Sequence, residues 1–184
     1  GAATGGSVMD EREIAEIIER VRRRVEAAGD GRPGPGLRAQ AELEAAGHRV
    51  ATTDVGPGDG LPDYRPAELA DRAALRDLVR AAKPDACIHL AAVSFVPDGD
   101  RNPAGLLTVN VAGTMNLLEA LRTEAPAARL LFVSSAQVYG PAPSIKDANV
   151  PVPENAPSYP LTLYAVSKVA CERAAFAYGA VYGL

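Results

Sequence analysis

Apolar residues along this chain recur with two periods. Ile14, Ile17, Ile18, Val21 and Val25 follow i, i+3, i+4, i+7, i+11 spacing, which predicts a narrow-striped amphipathic helix over 10–28 with charges on its other faces. The breaker run Gly29-Asp30-Gly31-Arg32-Pro33-Gly34-Pro35-Gly36 ends it. A second helix is predicted from Leu37 to Ala46, closed by Gly47 in the C′ position. Further helices are predicted over 67–82 (apolar face Leu69, Leu75, Leu78, Val79), over 104–124 (Leu107, Val111, Leu117, Leu118, Leu121) and over 161–179. Between them, Ala86–Val93 and Leu130–Val133 are near-continuous apolar runs, the pattern of strands covered on both sides. His48–Asp54 reads as a shorter strand, and 56–66 and 140–160 as Gly/Pro-rich loops. Alternating strands and helices predict an α/β, Rossmann-type doubly wound parallel sheet.

Composition narrows the class without choosing a function. With 184 residues, 47% of them hydrophobic, one globular domain is the default. A net charge of -4 with no long run of one sign points to no nucleic acid and no acidic membrane surface. Cys87 and Cys171 lack metal-ligand spacing, so no metal site is expected, and they read as buried free thiols of a reducing, cytoplasmic setting. No apolar run approaches the roughly 20 residues of a membrane span, and the first residues lack a secretory pattern.

The candidate chemistry lies in Tyr164-Ala165-Val166-Ser167-Lys168. On a helix, i and i+4 lie one above the other, so the phenol of Tyr164 and the ammonium of Lys168 share a face. A neighbouring ammonium favours the phenolate, which predicts a Tyr164 pKa below the usual value of about 10 and a usable general acid or base. Upstream, Val133-Ser134-Ser135-Ala136-Gln137-Val138-Tyr139-Gly140 carries hydroxyls on a strand-to-loop segment. A Ser–Tyr–Lys proton-transfer site is the expectation.

These segments, in this order, resemble the extended short-chain dehydrogenase/reductases, the NAD-dependent epimerase/dehydratase family, and within it the nucleotide-sugar branch that includes GDP-mannose dehydratase and GDP-4-keto-6-deoxymannose reductase. The likeness runs from about Leu37 onward. It implies Ser135, Tyr164 and Lys168 as catalytic residues. Ser135 and Tyr164 would hydrogen-bond the sugar oxygen that gains or loses a proton, and Tyr164 and Lys168 would also contact the cofactor. Asp54 would accept hydrogen bonds from the adenosine ribose and repel a 2′-phosphate, favouring NAD over NADP. Glu68 and Leu69 stand where the family meets the adenine. Leu90, Ala91 and Ala92 would let the backbone approach the cofactor, and Asn110 of Asn110-Val111-Ala112-Gly113-Thr114, counted with the cofactor-binding residues, would steady the central strand and a proton-relay water; a buried structural Asn reads at least as well. Ser94, with Ser135, would touch substrate. Gln137 stands where family dehydratases place an acid, which favours a 4-keto reductase or an epimerase over a dehydratase.

The chain departs from the pattern at its start. Gly29 to Gly34 spells Gly-x-Gly-x-x-Gly, yet it follows helical rather than strand periodicity, so it reads as a linker in preference to a phosphate cradle. As a cradle, Gly31, Gly34 and Gly36 would bind the cofactor, with Pro33 and Pro35 removing N–H donors. The resemblance thus implies an atypical or missing first strand and no C-terminal substrate domain. The expected division is an N-terminal helix and linker, 1–36, and a partial NAD-binding Rossmann domain, 37–184. Two functions follow. One is an NAD(P)-dependent nucleotide-sugar oxidoreductase or epimerase, dimerising through the helices at 104–124 and 161–179. The other is a non-catalytic chain that docks a partner through helix 10–28.

Overall fold

The computed structural model describes residues 35–56, 61, 63–94, 101–140 and 151–184. Helix 10–28, the linker glycines Gly31 and Gly34, and most of the 140–160 loop's first half lie outside the described residues. The chain divides into two compact units, Gly1–Pro66 and Ala67–Leu184.

In the first unit, α1 spans Pro35–Ala45. It ends in a Schellman arrangement, in which the Gly47 N–H donates to Glu44 O (2.9 Å) and the His48 N–H to Leu43 O (3.0 Å). Gly47 sits at φ +88°, the left-handed conformation this cap requires. The strand expected over 48–54 is reduced to one parallel bridge, Thr52 to Tyr64. Its neighbourhood is held by side chains instead: Thr52 Oγ1 donates to Gln40 Oε1 (2.9 Å), and the Tyr64 hydroxyl donates to Asp54 O (3.0 Å). Polar Thr52-Thr53-Asp54 has little apolar surface with which to hold a strand in a sheet.

The second unit begins with α2, Arg72–Ala82. The periodicity predicted an earlier start, but Asp71 takes the N-cap role, its carboxylate accepting from the Ala74 N–H at 2.9 Å. Lys83 closes the helix in the left-handed conformation, φ +45°. Strand β1, Ala86–His89, pairs in parallel with β2, Arg129–Phe132, in the register Ala86 to Arg129 and His89 to Phe132. Between the strands runs α3, Pro103–Glu124, which is α-helical at both ends with one π turn at Thr108–Ala112. Helix α4, Leu163–Tyr182, completes the unit.

Leu75 and Val79 of α2 pack against Leu117, Ala120 and Leu121 of α3 and against Ala128, with Cys87 of β1 and Leu130 of β2 beneath. Leu118 and Leu121 are fully buried, as the apolar stripe predicts. The strands themselves are half-buried along most of their length, shorter and more open than the apolar runs implied. Contrary to the expectation that no segment reaches membrane-spanning dimensions, α3 is long and apolar enough to do so. It also carries buried Asn110 and Thr114 and packs as the core helix of this unit.

Candidate active site

Ser135 follows β2 in extended conformation and caps a single 3-10 turn, Ala136–Tyr139. Its Oγ accepts from the Gln137 N–H at 3.3 Å, a local alternative to continued strand pairing. Three contacts hold this turn against the approach to α4. The Tyr159 N–H donates to Val138 O at 2.9 Å. Thr162 Oγ1 donates to Gln137 Oε1 at 3.2 Å. Gly140, at φ +61°, passes so close to Tyr159 that an added Cβ would lie 2.1 Å from the Tyr159 carbonyl oxygen. Thr162 is also the N-cap of α4, accepting from the Ala165 N–H at 3.1 Å. A Ser/Thr two residues before Tyr164 is a sequence signal for this cap.

Tyr164 therefore sits in the first turn of α4, facing the Ser135 turn, near enough for the Ser135 side chain to lower its pKa. One turn on, Lys168 is almost fully buried. Its Nζ donates to Val133 O at 2.8 Å and lies 4.8 Å from the Phe132 ring centroid and 5.8 Å from that of Tyr164. The three side chains expected to act together are thus brought to the carboxyl end of β2.

The electrostatics differ from the sequence expectation. Burial pushes the Tyr164 phenol above its ordinary range, and the nearby Ser135 side chain offsets only part of that rise. Lys168 gives its proton to a backbone carbonyl rather than to the phenol, and burial lowers its own pKa while Cys171 and Glu172 raise it. The predicted depression of Tyr164 by Lys168 is therefore corrected: at neutral pH the phenol is held protonated.

The motif Asn110-Val111-Ala112-Gly113-Thr114 lies across the π turn and the start of the following α segment, and three of its residues have identifiable work. Asn110 Oδ1 accepts from the Val93 N–H (2.8 Å), and its Nδ2 donates to Val93 O (3.1 Å) and Ser167 Oγ (3.0 Å). Both amide hydrogens are committed to the protein, so Asn110 serves as a brace for the chain leaving β1 rather than as a direct cofactor donor. Gly113 allows close approach: a Cβ there would lie 2.5 Å from Leu69 Cβ. Thr114 Oγ1 donates to Asn110 O (2.6 Å) and therefore receives its 2.9 Å contact from the Nε2–H of buried His89. Neither His89 nor Ser167 stood out in the sequence; a His inside an apolar strand run and a Ser preceding the lysine were the available signals.

The remaining candidates are spread out. Ser94 is exposed and follows directly on the braced Val93. Leu90 and Ala92 are half-buried and Ala91 exposed on the segment leaving β1. Glu68 is exposed, while Leu69 is fixed against Gly113 and accepts at its carbonyl from Asn116 Nδ2 (3.0 Å). Asp54, in the first unit, is exposed and accepts from the Val55 N–H at 2.7 Å. Gly36 lies in the first turn of α1. At the end of β2, the Ser134 hydroxyl is buried with no hydrogen-bond partner among the described residues, an unsatisfied polar atom beside the Ser135 turn. An apolar groove of about 490 Å³, lined by Leu118, Leu130, Phe132 and Phe176 among others, includes neither Ser135 nor Tyr164. No cluster of metal-ligating side chains occurs among the described residues.

A Ser and a Tyr brought together at a parallel strand's carboxyl end, with a buried lysine one helical turn on, fit the family that the sequence resembles. A profile of the GDP-mannose 4,6 dehydratase family matches residues 57–184. The chain belongs to that family. Its matched relatives span several reactions of the wider nucleotide-sugar group. GDP-6-deoxy-D-mannose reductase of Pseudomonas aeruginosa is 40% identical over 100 residues, covering 54% of this chain and 32% of the relative. dTDP-glucose 4,6-dehydratase 1 of Escherichia coli is 30% identical over 156 residues, covering 78% and 43%. Among solved structures, UDP-glucose 4-epimerase of Thermus thermophilus in complex with NAD matches with TM-score 0.71 and 30% identity over 79% of this chain and 47% of that one. RMD from Pseudomonas aeruginosa complexed with NADPH matches with TM-score 0.62 and 33% identity over 80% and 46%. The chain spans less than half the length of these relatives. Membership of the GDP-mannose 4,6 dehydratase family agrees with the Rossmann-like fold described above.

Proposed function

We propose that this chain carries the proton-transfer site of an NAD(P)-dependent nucleotide-sugar 4-keto reductase or epimerase, with Ser135, Tyr164 and Lys168 as its catalytic residues. The observation that carries the reading is the placement of Ser135 at the end of β2, Tyr164 in the first turn of α4 and Lys168 one turn on, with Lys168 Nζ 5.8 Å from the Tyr164 ring centroid. A phenol kept protonated by burial is a proton donor, which suits delivery of a proton to a carbonyl oxygen during ketone reduction. Ser135 would share that oxygen and orient it. The amide of Gln137 is no base, so removal of water from the sugar has no agent at that position.

A nicotinamide cofactor supplies or accepts the hydride. The residues present fit one on the nicotinamide side: small Ala91 and Ala92 leave the β1 exit open, and the unsatisfied Ser134 hydroxyl offers a further polar contact. Lys168 would hold the ribose on that side, and Asp54 favours NAD by its charge. Pairing of two copies belongs to the same reading. Leu163, Val166 and Val181 fall on one exposed face of α4, and Met115 is exposed on α3. Free thiols at Cys87 and Cys171 agree with a cytoplasmic setting.

The test is turnover of the full chain with NADH or NADPH and a nucleotide 4-keto-sugar, followed by nicotinamide absorbance. Tyr164→Phe is expected to lower kcat by about 10²–10⁴-fold. Undiminished turnover in that variant rejects the catalytic assignment. Reduction should hold steady through neutral pH and fall only on the alkaline side, where Tyr164 loses its proton.

A further inference from the structure

Ser167 has no task in the chemistry above, yet it is completely buried and doubly bonded. Its Oγ accepts from Asn110 Nδ2 at 3.0 Å and donates to Tyr164 O at 2.7 Å. A serine on a helix commonly bonds back to a carbonyl three or four residues earlier, and that bond alone would mean little. The second bond changes its meaning. Asn110 is itself held on both sides of Val93, so a continuous strap runs from the β1 exit through the π turn of α3 to the main chain of Tyr164.

We propose that Ser167 is a positioning residue: its hydroxyl anchors the first turn of α4 to Asn110 and thereby sets the Tyr164 phenol against Ser135. The proposal rests on the reading of Tyr164 as the proton-transfer group but extends it to a residue that never meets substrate. The geometry accounts for the direction of each bond. Val93 offers an N–H, so Asn110 must turn its Oδ1 that way and its two N–H donors elsewhere. One of them fills a lone pair of Ser167 Oγ, which leaves the serine proton for Tyr164 O. At the other end of the same turn, Thr162 caps α4 and reaches Gln137. The turn carrying Tyr164 is therefore fixed from two sides, by Thr162 toward Ser135 and by Ser167 toward β1. Removing the inner strap would let the turn relax away from Ser135 while the cap persists.

The test follows the ionisation of Tyr164 by NMR in the full chain labelled at tyrosine Cζ, with its resonance assigned by its absence in Tyr164→Phe. Moving the phenol away from Ser135 raises its midpoint, because the Ser135 side chain lowers it. Ser167→Ala should therefore move the midpoint upward, toward the value in Ser135→Ala. In the Ser135→Ala background, Ser167→Ala should add almost nothing, and Ser167→Thr, which keeps the hydroxyl, should restore the parent value. In turnover, Ser167→Ala should lower kcat about tenfold or more with KM within about twofold. An unmoved midpoint overturns the proposal. So does a shift that adds in full to that of Ser135→Ala, since additivity would mean that Ser167 acts on Tyr164 independently of Ser135. Should Ser167→Ala fail to fold, Ser167→Cys keeps a weaker bonding group and should give an intermediate shift; none would overturn the proposal. If Tyr164→Phe keeps full turnover, the catalytic reading falls, while the midpoint comparison still decides whether Ser167 positions Tyr164.

Discussion

The two halves of α3 do different work. From Gly113 to Glu124 the helix is regular and buries Leu117, Leu118, Ala120 and Leu121 against its neighbours. From Pro103 to Ala112 it passes through a π turn and buries Asn110, whose side chain bonds both polar groups of Val93. The first kind of burial is non-directional and tolerates approximate fit; the second is directional and fixes atoms to within a few tenths of an ångström. A π turn inserted into an α-helix is a recurrent device at functional sites, because it re-aims one side chain without ending the helix. Stability and site geometry are thus carried on one helix by adjacent but separable segments.

The largest expected effect tests that separation. Leu121→Ala, at a fully buried position of the core, should cost about 2–5 kcal/mol in urea unfolding. It should leave the Tyr164 resonance of the folded protein unchanged. If that resonance moved as far as it does in Ser167→Ala, the two halves would be one cooperative device and the comparison would fail.

Acid should act next through His89, which bonds Thr114 at the start of the regular half. Burial, with the charge of Lys168 second, lowers His89 from 6.5 to about 4. As pH falls through 6.5 the unfolded chain takes up a proton that folded His89 refuses until about 4. Stability should therefore decline across that window, by at most about 1.4 kcal/mol per pH unit, and be unaffected by His89 at higher pH. His89→Gln should flatten this slope. Glu119, depressed to about 2 mainly by its hydrogen bonds from Arg122 and Tyr178, loses its contribution only as pH falls below the ordinary carboxylate range, so the two groups separate along the pH axis.

The seam between the halves gives a smaller effect. A Cβ at Gly113 would lie 2.5 Å from Leu69 Cβ, an atom bonded directly to the backbone that no rotamer change can swing aside. Gly113→Ala should cost about 1–3 kcal/mol by overpacking, despite the higher helix propensity of alanine. Thermal unfolding would show this; a stabilised protein would mean that Leu69 is not held where Asn116 and the α2 cap place it.

The apolar half was readable from the sequence because its information is periodic. Leu117, Leu118 and Leu121 announce their face, as Leu75 and Val79 do on α2. The paired hydroxyls and lysine were readable because their spacing places them on one helix turn and one strand end. Three things were not. The strand at 48–54 shrank to one bridge because side-chain bonds from Gln40 and Tyr64 satisfy that segment. The Tyr164 pKa was expected to fall, because spacing reveals that Lys168 is near but not that its proton goes to Val133 O. The strap through Ser167 joins residues 57 positions apart, and no local pattern encodes such a bond.

The smallest effect belongs to the outer surface of the apolar half. Glu124 receives Arg76 Nε and two nitrogens of Arg80, at 2.9 and 3.1 Å for the latter. Both arginine side chains remain about half exposed, so water competes for every bond. The Glu124 carboxyl is lowered by Arg80 and then by Arg76, so its contribution is present at neutral pH and lost as acid protonates it. Glu124→Gln should lower the unfolding midpoint by less than Gly113→Ala does. The difference from the parent should vanish in about 1 M salt, where the Debye length is about 3 Å. Leu121→Ala should keep its full cost in the same salt, since screening does not touch cavity formation. A salt-resistant Glu124 effect as large as that of Leu121 would show that α2 and α3 are joined by charge rather than by burial, and the division of α3 would have to be redrawn along its faces instead of along its length.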